Sequence, residues 1–145
     1  FAKSGKRGAI NYIKQGLRTW HNYTPEKYII NIDGVEWENE AALITVGNSS
    51  QWGNGAKITP LADSSDGVLD ITVVEEFKNI EIPFMAGLLM TGAAHKSMHV
   101  HTYRGREITI TREKEGPAHA DGDWFEAGTT LKINIIPHAL KVIIP

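Results

Sequence analysis

The stretch Tyr-Ile-Ile-Asn-Ile-Asp-Gly-Val-Glu-Trp-Glu, at residues 28–38, decides the fold class. Two runs that favour extended backbone, residues 28–33 and 35–38, meet at Asp33-Gly34. An Asp-Gly step readily supplies the positive φ angles that a tight hairpin turn requires. The stretch therefore predicts two antiparallel strands joined by a short turn.

Six further segments have strand-like composition, and they follow one another at close spacing. They are residues 41–46, 68–77, 98–103, 107–112, 131–136 and 140–144. Arg104-Gly105-Arg106 predicts a second hairpin between the third and fourth of these, and Pro137 separates the last two. Many short strands favour a sandwich or barrel over a parallel βαβ sheet. We expect a mainly β protein, an antiparallel β-sandwich with one or two short helices.

Two segments have helical patterns instead. Residues 82–90 are apolar with Pro83 near the start, which predicts a short buried helix. Residues 9–20 carry an apolar stripe at helical spacing, formed by Ile10, Ile13, Leu17 and Trp20. A neighbouring face of that helix would carry Lys3, Arg7, Lys14 and Arg18. This basic face is either an ordinary solvated surface or one that meets anionic lipid headgroups.

Composition excludes several classes of protein. The chain has 145 residues, 41% hydrophobic and 22% charged, which fits one folded domain. The absence of cysteine excludes disulfides and thiolate metal sites. A net charge of -2 gives no reason to expect nucleic-acid binding. With no apolar run of membrane-spanning length and no signal peptide, we expect a cytoplasmic protein. Because the chain opens at Phe1, we expect it to be a fragment.

Two acidic turns are candidate sites. Asp63, Asp66 and Asp70 offer the oxygen ligands that magnesium and calcium prefer, although an ordinary acidic turn has the same pattern. Asp121-Gly122-Asp123 could hold a general base for a reacting hydroxyl, or it could be a simple turn. The glycine- and asparagine-rich residues 47–60 between the predicted strands could approach a ligand closely or could merely form tight turns.

The histidines form a third candidate. His99 and His101 alternate on a predicted strand and would share a face, with His95 and His119 as further ligands. Structural or surface histidines are the plainer interpretation. The sequence has no Gly-Lys-Ser/Thr phosphate loop, Gly-x-Ser-x-Gly elbow or His-Glu-x-x-His motif.

The ordered set of motifs resembles the bacterial diacylglycerol kinase-like lipid kinases, which include the sphingosine kinases. The resemblance covers about two thirds of the chain and rests on Asn48, Gly53-Asn54-Gly55, Lys57, Pro60, Asp66-Gly67-Val68-Leu69-Asp70, Gly92, His95, Asp121-Gly122-Asp123, Pro137, Ala139-Leu140, Val142 and Pro145.

The resemblance implies that residues 1–145 form the C-terminal β-sandwich domain of a lipid kinase with a fold like that of NAD kinases. An N-terminal domain, absent from this chain, would bind most of the ATP. The implied reaction transfers the ATP γ-phosphoryl group to a lipid hydroxyl with Mg²⁺. The implied lipid substrate is a diacylglycerol or a sphingoid-type alcohol. We also expect peripheral membrane contact, no nucleic-acid partner, and a possible homodimer through exposed sheet edges.

The resemblance also implies roles for individual residues. A metal would be held by the Asp66 side chain, with backbone oxygens from Asp63 and Val68. The general base of the family is the glutamate of an Asp-Gly-Glu segment, which falls on Asp123. Aspartate is one methylene shorter, so Asp121 is the alternative base.

Two other functions are compatible with the residues. A non-catalytic β-sandwich that binds a ligand or partner would need an exposed aromatic or polar platform. A structural metal module built on His99 and His101 would prefer zinc, whereas the Asp66 turn would prefer magnesium or calcium.

Overall fold

The structure, a computed structural model, describes residues 25–51 and 55–141. In this part of the chain, nine strands and one α-helix are present. The strands are β1 Glu26–Ile32, β2 Val35–Ala41, β3 Leu43–Gly47, β4 Leu69–Val74, β5 Val100–Gly105, β6 Glu107–Arg112, β7 Gly116–Ala120, β8 Asp123–Ala127 and β9 Thr130–Asn134. Helix α1 is Ile82–Thr91, flanked by 3-10 turns at Asn79–Glu81 and Ala94–Lys96.

All strand pairs are antiparallel, and they form two main sheets and a separate hairpin. The larger sheet has the order β2-β1-β6-β9, and the smaller sheet has the order β3-β4-β5. Strands β7 and β8 pair only with each other among the described strands. The predicted β1–β2 hairpin is confirmed, because Ile32 pairs with Val35 across Asp33-Gly34, whose φ angles are 50° and 89°.

The two main sheets pack face to face around an aliphatic core. Alternate residues of β1 and β6 point inward, and they meet alternate residues of β4. The buried side chains of this core are Ile30, Ile32, Ala41, Leu69, Ile71, Val73, Ile108 and Ile110. Burial of one face of each sheet is the defining contact of a sandwich, so the predicted antiparallel β-sandwich is confirmed.

Strand β4 is buried along its whole length, because a second cluster covers its other face. Val74 packs there with Ile58, Met85 of α1 and Val100. Thr72 also lies on this covered face, and its hydroxyl donates to the carbonyl of Ile58 at 2.9 Å. Helix α1 therefore forms a third layer outside the smaller sheet.

The predicted hairpin at Arg104-Gly105-Arg106 is wrong. Strand β5 pairs with β4, whereas β6 pairs with β1 and β9 in the other sheet. Gly105 lies at the point where the chain crosses between sheets, and a Cβ there would stand 2.3 Å from Ile32 Cγ2. Only glycine fits this crossing without displacing Ile32.

Several predicted boundaries also differ. The predicted strand 41–46 is divided at Ala42, which separates β2 from β3 in the other sheet. The predicted strand 68–77 ends at Val74, and the predicted strand 131–136 ends at Asn134. Leu140 and Lys141 are not in a strand, and residues 142–144 lie outside the described part. The predicted helix 9–20 and its basic face lie outside it as well.

Helix α1 confirms the helix predicted at residues 82–90, but not its burial. Pro83 lies in the first turn, and Gly92 ends the helix with a φ of 75°. Met85 is the only residue of α1 that is fully buried. The outer face of the helix, which includes Phe84 and Met90, is exposed.

Candidate active site between the sheets

A cleft of about 420 Å³ opens between the two sheets beneath the β7–β8 hairpin. Its walls come from β1, β3, β6, β7 and β9, and they combine aliphatic side chains with polar and charged ones. The apolar side chains that line it include Leu43, Ile44, Val46, Ile110, Leu131 and Ile133. Polar groups, among them Asp121 and Arg112, also line it. A cavity of this size with apolar walls at one side and polar groups at another is compatible with a small-molecule site.

The β7–β8 hairpin carries both carboxylates of the predicted base segment. Asp121 and Gly122 form its two-residue turn, with φ angles of 51° and 98°, and Ala120 pairs with Asp123. Positive φ at both positions is the geometry of a type I′ turn. Asp121 is among the residues that line the cleft, whereas Asp123 is not. Both side chains are exposed.

Arg112 ties this hairpin to the larger sheet. Its Nη2 donates to the carbonyls of Gly116 and Ala127 at 2.6 and 2.7 Å, and its Nε donates to the Gly128 carbonyl at 3.3 Å. The three carbonyls belong to the two base strands of the hairpin and the residue that follows. Arg112 therefore fixes the position of Asp121 relative to the cleft through the hairpin backbone.

The acidic turn before β4 is organised by its own side chains. The carboxylate of Asp63 accepts hydrogen bonds from the Ser65 hydroxyl and amide at 2.6 and 2.9 Å, and these bonds lower the pKa of Asp63. Asp66 accepts from the Val68 amide at 3.0 Å, and its own amide donates to the Asp63 carbonyl at 3.3 Å. The turn thus brings together the three residues predicted to bind a metal.

Arg104 of β5 lies between the two other carboxylates of this region. Its Nη2 pairs with Asp66 Oδ2, and its Nε lies 3.5 Å from Asp70 Oδ1. Asp70 is buried, and its second oxygen, Oδ2, has no hydrogen-bond partner among the residues that the structure describes. Burial raises the pKa of Asp70, and the charge of Arg104 opposes this rise.

The acidic turn was predicted to bind a metal, and the structure shows how its oxygens are engaged. Within residues 25–51 and 55–141, no three or more His, Cys, Asp or Glu side chains are grouped so that they could hold a metal ion. The predicted metal ligands are the Asp66 carboxylate and the backbone oxygens of Asp63 and Val68, which are of the oxygen type that Mg²⁺ and Ca²⁺ prefer. In the structure, Arg104 and the Val68 amide contact the Asp66 carboxylate, and the Asp63 carbonyl accepts from the Asp66 amide. The unpartnered buried Asp70 Oδ2 adds negative charge nearby.

The histidines bind carboxylates. His99 Nε2 lies 3.2 Å from Glu81 Oε1, and His101 Nε2 lies 2.8 Å from Glu75 Oε1. The Nε2 atom of each histidine therefore contacts a different glutamate, and His99 lies in the turn before β5 and not on the strand with His101. This arrangement fits the plainer interpretation of His99 and His101 as structural side chains.

Sequence reasoning did not identify Arg104 or Arg112 as site residues. Arg104 is opposite Asp70 in the β4–β5 register, and Arg112 is opposite Tyr28 in the β1–β6 register. Their roles depend on strand pairing between segments far apart in the chain. No local motif marks either arginine.

Comparison with known proteins places the fold in a family. The model of the YegS C-terminal NAD kinase beta sandwich-like domain matches residues 2–144. A diacylglycerol kinase of Mycobacterium tuberculosis (strain CDC 1551 / Oshkosh) is 29% identical over 142 residues, which are 95% of this chain and 44% of that protein. A "Probable lipid kinase YegS-like" of Yersinia enterocolitica is 26% identical over 140 residues, 95% of this chain and 45% of that protein.

A solved structure shows the same fold. The crystal structure of a diacylglycerol kinase from Bacillus anthracis str. Sterne matches with a TM-score of 0.64 and 22% identity, over 83% of this chain and 43% of that chain. The chain spans less than half the length of the curated relatives named above. Because the family model matches nearly all of its residues, the chain belongs to the family of YegS C-terminal NAD kinase β-sandwich-like domains.

Proposed function

We propose that this chain supplies the lipid-acceptor half of an ATP-dependent lipid kinase. The reaction moves the ATP γ-phosphoryl group to the hydroxyl of a diacylglycerol or a sphingoid-type lipid. The observation that carries the proposal is the partly apolar cleft with the Asp121 carboxylate among its lining residues. The nucleotide is bound mainly by a domain outside this chain. Names of similar proteins, which include diacylglycerol kinase and lipid kinase, support the same reaction.

The cleft suits a molecule with one apolar and one polar end. Its volume of about 420 Å³ lies within the range of roughly 300–1,000 Å³ that is typical of ligand sites. Aliphatic walls would hold an acyl or alkyl chain, because burial of each methylene favours binding by about 0.8 kcal/mol. The hydroxyl end would then lie at the acidic turn of the β7–β8 hairpin.

The base in this proposal is Asp123, with Asp121 as the alternative. The acceptor oxygen forms a bond to the γ-phosphorus, the bond from that phosphorus to the bridging oxygen of ADP breaks, and the hydroxyl proton passes to the carboxylate. Asp123 stands at the position of the family glutamate with a side chain one methylene shorter. The position of Asp121 at the cleft supports it as the nearer group.

A magnesium ion at the turn before β4 would be held by the Asp66 carboxylate and the backbone oxygens of Asp63 and Val68. When bound, it would supply positive charge that stabilises the backbone of the turn. Arg104 pairs with Asp66 in the structure, so binding of the cation would require the guanidinium to leave the Asp66 carboxylate.

The test is a kinase assay on the natural protein that contains this chain. Purified protein is incubated with Mg²⁺, ATP and a panel of lipids that includes a diacylglycerol, a sphingoid base and a polyprenol. Asp123→Asn and Asp121→Asn are assayed in parallel. Glu126→Gln is the matched control, because Glu126 is an exposed carboxylate of the same hairpin that lies outside the Asp121-Gly122-Asp123 segment.

We expect phosphorylated lipid from the wild type and from Glu126→Gln, with a loss of about 10²-fold or more in one aspartate variant. Loss of lipid phosphorylation in Asp123→Asn supports Asp123 as the general base. Loss of lipid phosphorylation in Asp121→Asn alone would assign the general base to Asp121 instead. If a folded, ATP-binding protein phosphorylates no lipid in the panel, the proposal is wrong. A non-catalytic role for the cleft would then be the better interpretation.

A further inference from the structure

The guanidinium of Arg104 is shared by two carboxylates that have different surroundings. Arg104 on β5 lies opposite Asp70 on β4, and its Nε is 3.5 Å from Asp70 Oδ1. Its Nη2 pairs with Asp66 Oδ2 in the acidic turn before β4. Asp70 is buried, whereas 28% of the Asp66 side chain is exposed. One guanidinium therefore serves a buried acid and a more accessible one.

This sharing leaves Asp70 incompletely paired. None of the residues in the described ranges donates a hydrogen bond to its Oδ2 atom, although Asp70 is only 6% exposed. The 3.5 Å contact at Oδ1 is longer than the roughly 2.7–2.9 Å of a strong charge-assisted hydrogen bond. A guanidinium can donate to both oxygens of one carboxylate at once. Asp70 thus offers Arg104 a second position with better pairing than the contact in the structure.

The Asp66 carboxylate is engaged at both of its oxygens. Oδ1 accepts from the Val68 amide at 3.0 Å, and Oδ2 pairs with Arg104. A divalent cation that binds this carboxylate must therefore displace one of the two donors. The Val68 amide belongs to the backbone of the turn, whereas the Arg104 side chain is half exposed and has Asp70 beside it. The guanidinium is consequently the donor that can leave.

We propose that Arg104 competes with a divalent cation for Asp66 and moves fully onto Asp70 when the cation binds. Repulsion between two positive charges at contact distance drives the guanidinium away from Asp66. Asp70 then receives two N–H groups from Arg104, so the exchange leaves neither carboxylate without a counter-charge. Arg104 thereby sets the cation affinity of the turn and links the turn to an ion pair between β4 and β5.

This inference rests on the divalent cation of the proposed function, but it does not depend on phosphorylation of a lipid. Binding of Mg²⁺ can be measured without lipid and without nucleotide. Failure of the competition between Arg104 and the cation would therefore leave the outcome of the kinase assay unchanged.

The test is isothermal titration of Mg²⁺ into the nucleotide-free natural protein that contains this chain. Arg104→Gln removes the competing guanidinium, and Asp66→Asn removes the charge of the carboxylate. Arg106→Gln is the matched control, because Arg106 is an exposed arginine of the same segment whose described hydrogen bonds involve its backbone. Thermal unfolding establishes that each variant is folded.

A second measurement follows the guanidinium itself in the wild-type protein. Protein with ¹⁵N-labelled arginine gives an NMR signal for the Nε–H group of Arg104, which is assigned by its loss in Arg104→Lys. We expect this signal to shift during the Mg²⁺ titration with the midpoint found by calorimetry, because the group changes its carboxylate partner. The Nε–H signal of Arg106 should not move. This measurement stays decisive even if Arg104→Gln is unstable.

We expect Arg104→Gln to bind Mg²⁺ about fivefold more tightly than the wild type does, which is the upper range for a solvent-screened ion pair. Arg106→Gln should change the affinity by less than about twofold, because salt screens a charge that acts only from a distance. Asp66→Asn should lose the Mg²⁺ site of the turn.

Four results would overturn the inference. Equal or weaker binding by Arg104→Gln would mean that Arg104 does not compete for Asp66. An equal gain in Arg106→Gln would attribute the effect to net charge. An Arg104 signal that does not respond to Mg²⁺ would mean that the guanidinium stays in place. Absence of any Mg²⁺ site that depends on Asp66 would also remove the cation from the proposed function, while the kinase assay would still decide on lipid phosphorylation.

Discussion

The carboxylate of Asp33 accepts hydrogen bonds from the backbone amide of Arg106 at 3.0 and 3.2 Å. The adjacent amide of Glu107 donates to the same carboxylate at 2.9 Å, and the Asp33 amide donates to the Glu107 carbonyl at 2.9 Å. These bonds join the β1–β2 turn to the point where the chain enters β6. One side chain thus stabilises two turns that are far apart in sequence.

Asp33→Ala should destabilise the protein most near neutral pH. The hydrogen bonds from Glu107 and then Arg106 lower the pKa of the Asp33 carboxyl. A carboxyl with a lowered folded-state pKa contributes its full stability above its unfolded-state pKa and loses it as pH falls through the folded-state value. The difference in Tm between the wild type and the variant should therefore shrink in acid. Thermal unfolding from neutral pH down through the range of carboxyl titration measures this.

Asp33→Asn is the control for backbone geometry. Asparagine tolerates the positive φ of 50° at this position, and its amide oxygen can still accept a hydrogen bond. Its effect should be smaller than that of alanine and nearly independent of pH. If the difference in Tm between the wild type and Asp33→Ala does not depend on pH, backbone strain explains the loss of stability and the charged acceptor does not.

Gly105→Ala should disrupt the crossing between the sheets. The added Cβ would lie 2.3 Å from Ile32 Cγ2, and Ile32 is part of the buried core. Overpacking of this kind costs about 3 kcal/mol when the backbone must shift. Gly128→Ala is the control, because a Cβ at Gly128 meets no atom within 4 Å. Urea denaturation should show a lower midpoint for Gly105→Ala alone, and equal midpoints would contradict the close contact.

Local turn chemistry explains what could be predicted from the sequence. Asp33-Gly34 is both a turn signal and the actual hairpin turn, because its φ angles depend on those two residues. Arg104-Gly105-Arg106 resembles the same signal, yet Gly105 is present for a close contact with Ile32. The pairing partners of β5 and β6 are set by long-range packing, which no local pattern records.

The candidate site shows the same limit. The Asp121-Gly122 turn was predicted, but the strands on both sides of it were not. Strand β7 is Gly-Pro-Ala-His-Ala, which has weak β propensity, and Pro117 suits only an edge position. Tertiary contacts from Arg112 compensate for this weak local preference. The arginine at position 104 is likewise placed by the β4–β5 register.

Arg104→Gln should leave Asp70 buried without a counter-charge. We expect a loss of about 2 kcal/mol at neutral pH, below the roughly 3–5 kcal/mol of a fully buried pair because half of Arg104 is exposed and solvent screens it. Burial already raises the pKa of Asp70, and removal of Arg104 should raise it further. A carboxyl with a raised folded-state pKa destabilises above its unfolded-state pKa, and this cost disappears as the carboxyl is protonated.

The difference in free energy of unfolding between the wild type and Arg104→Gln should therefore become smaller as the pH is lowered. Urea denaturation across the acid range measures this difference. Asp70→Asn in the same protein removes the buried charge and should recover most of the stability. If the double variant is no more stable than Arg104→Gln, the unpaired carboxylate of Asp70 is not the cause of the loss.

Arg112→Ala should release the β7–β8 hairpin without unfolding the sandwich. The variant loses the hydrogen bonds to the carbonyls of Gly116, Ala127 and Gly128, each of which contributes roughly 1.5–3 kcal/mol when the donor is charged. Among the described strands, β7 and β8 pair only with each other, so few other contacts resist opening. Hydrogen exchange should accelerate at amides of the hairpin and remain slow in β4.

The matched control is Arg106→Ala, which removes an exposed arginine whose described hydrogen bonds involve its backbone. In Arg106→Ala, the amides of the β7–β8 hairpin should exchange at the wild-type rate. Because the hairpin carries Asp121 to the cleft, Arg112→Ala should also lower kcat in the proposed kinase reaction while amide exchange in β4 stays slow. Faster exchange throughout β4 would instead mean that Arg112 supports the whole sandwich. The loss of activity would then reflect unfolding and not a displaced carboxylate.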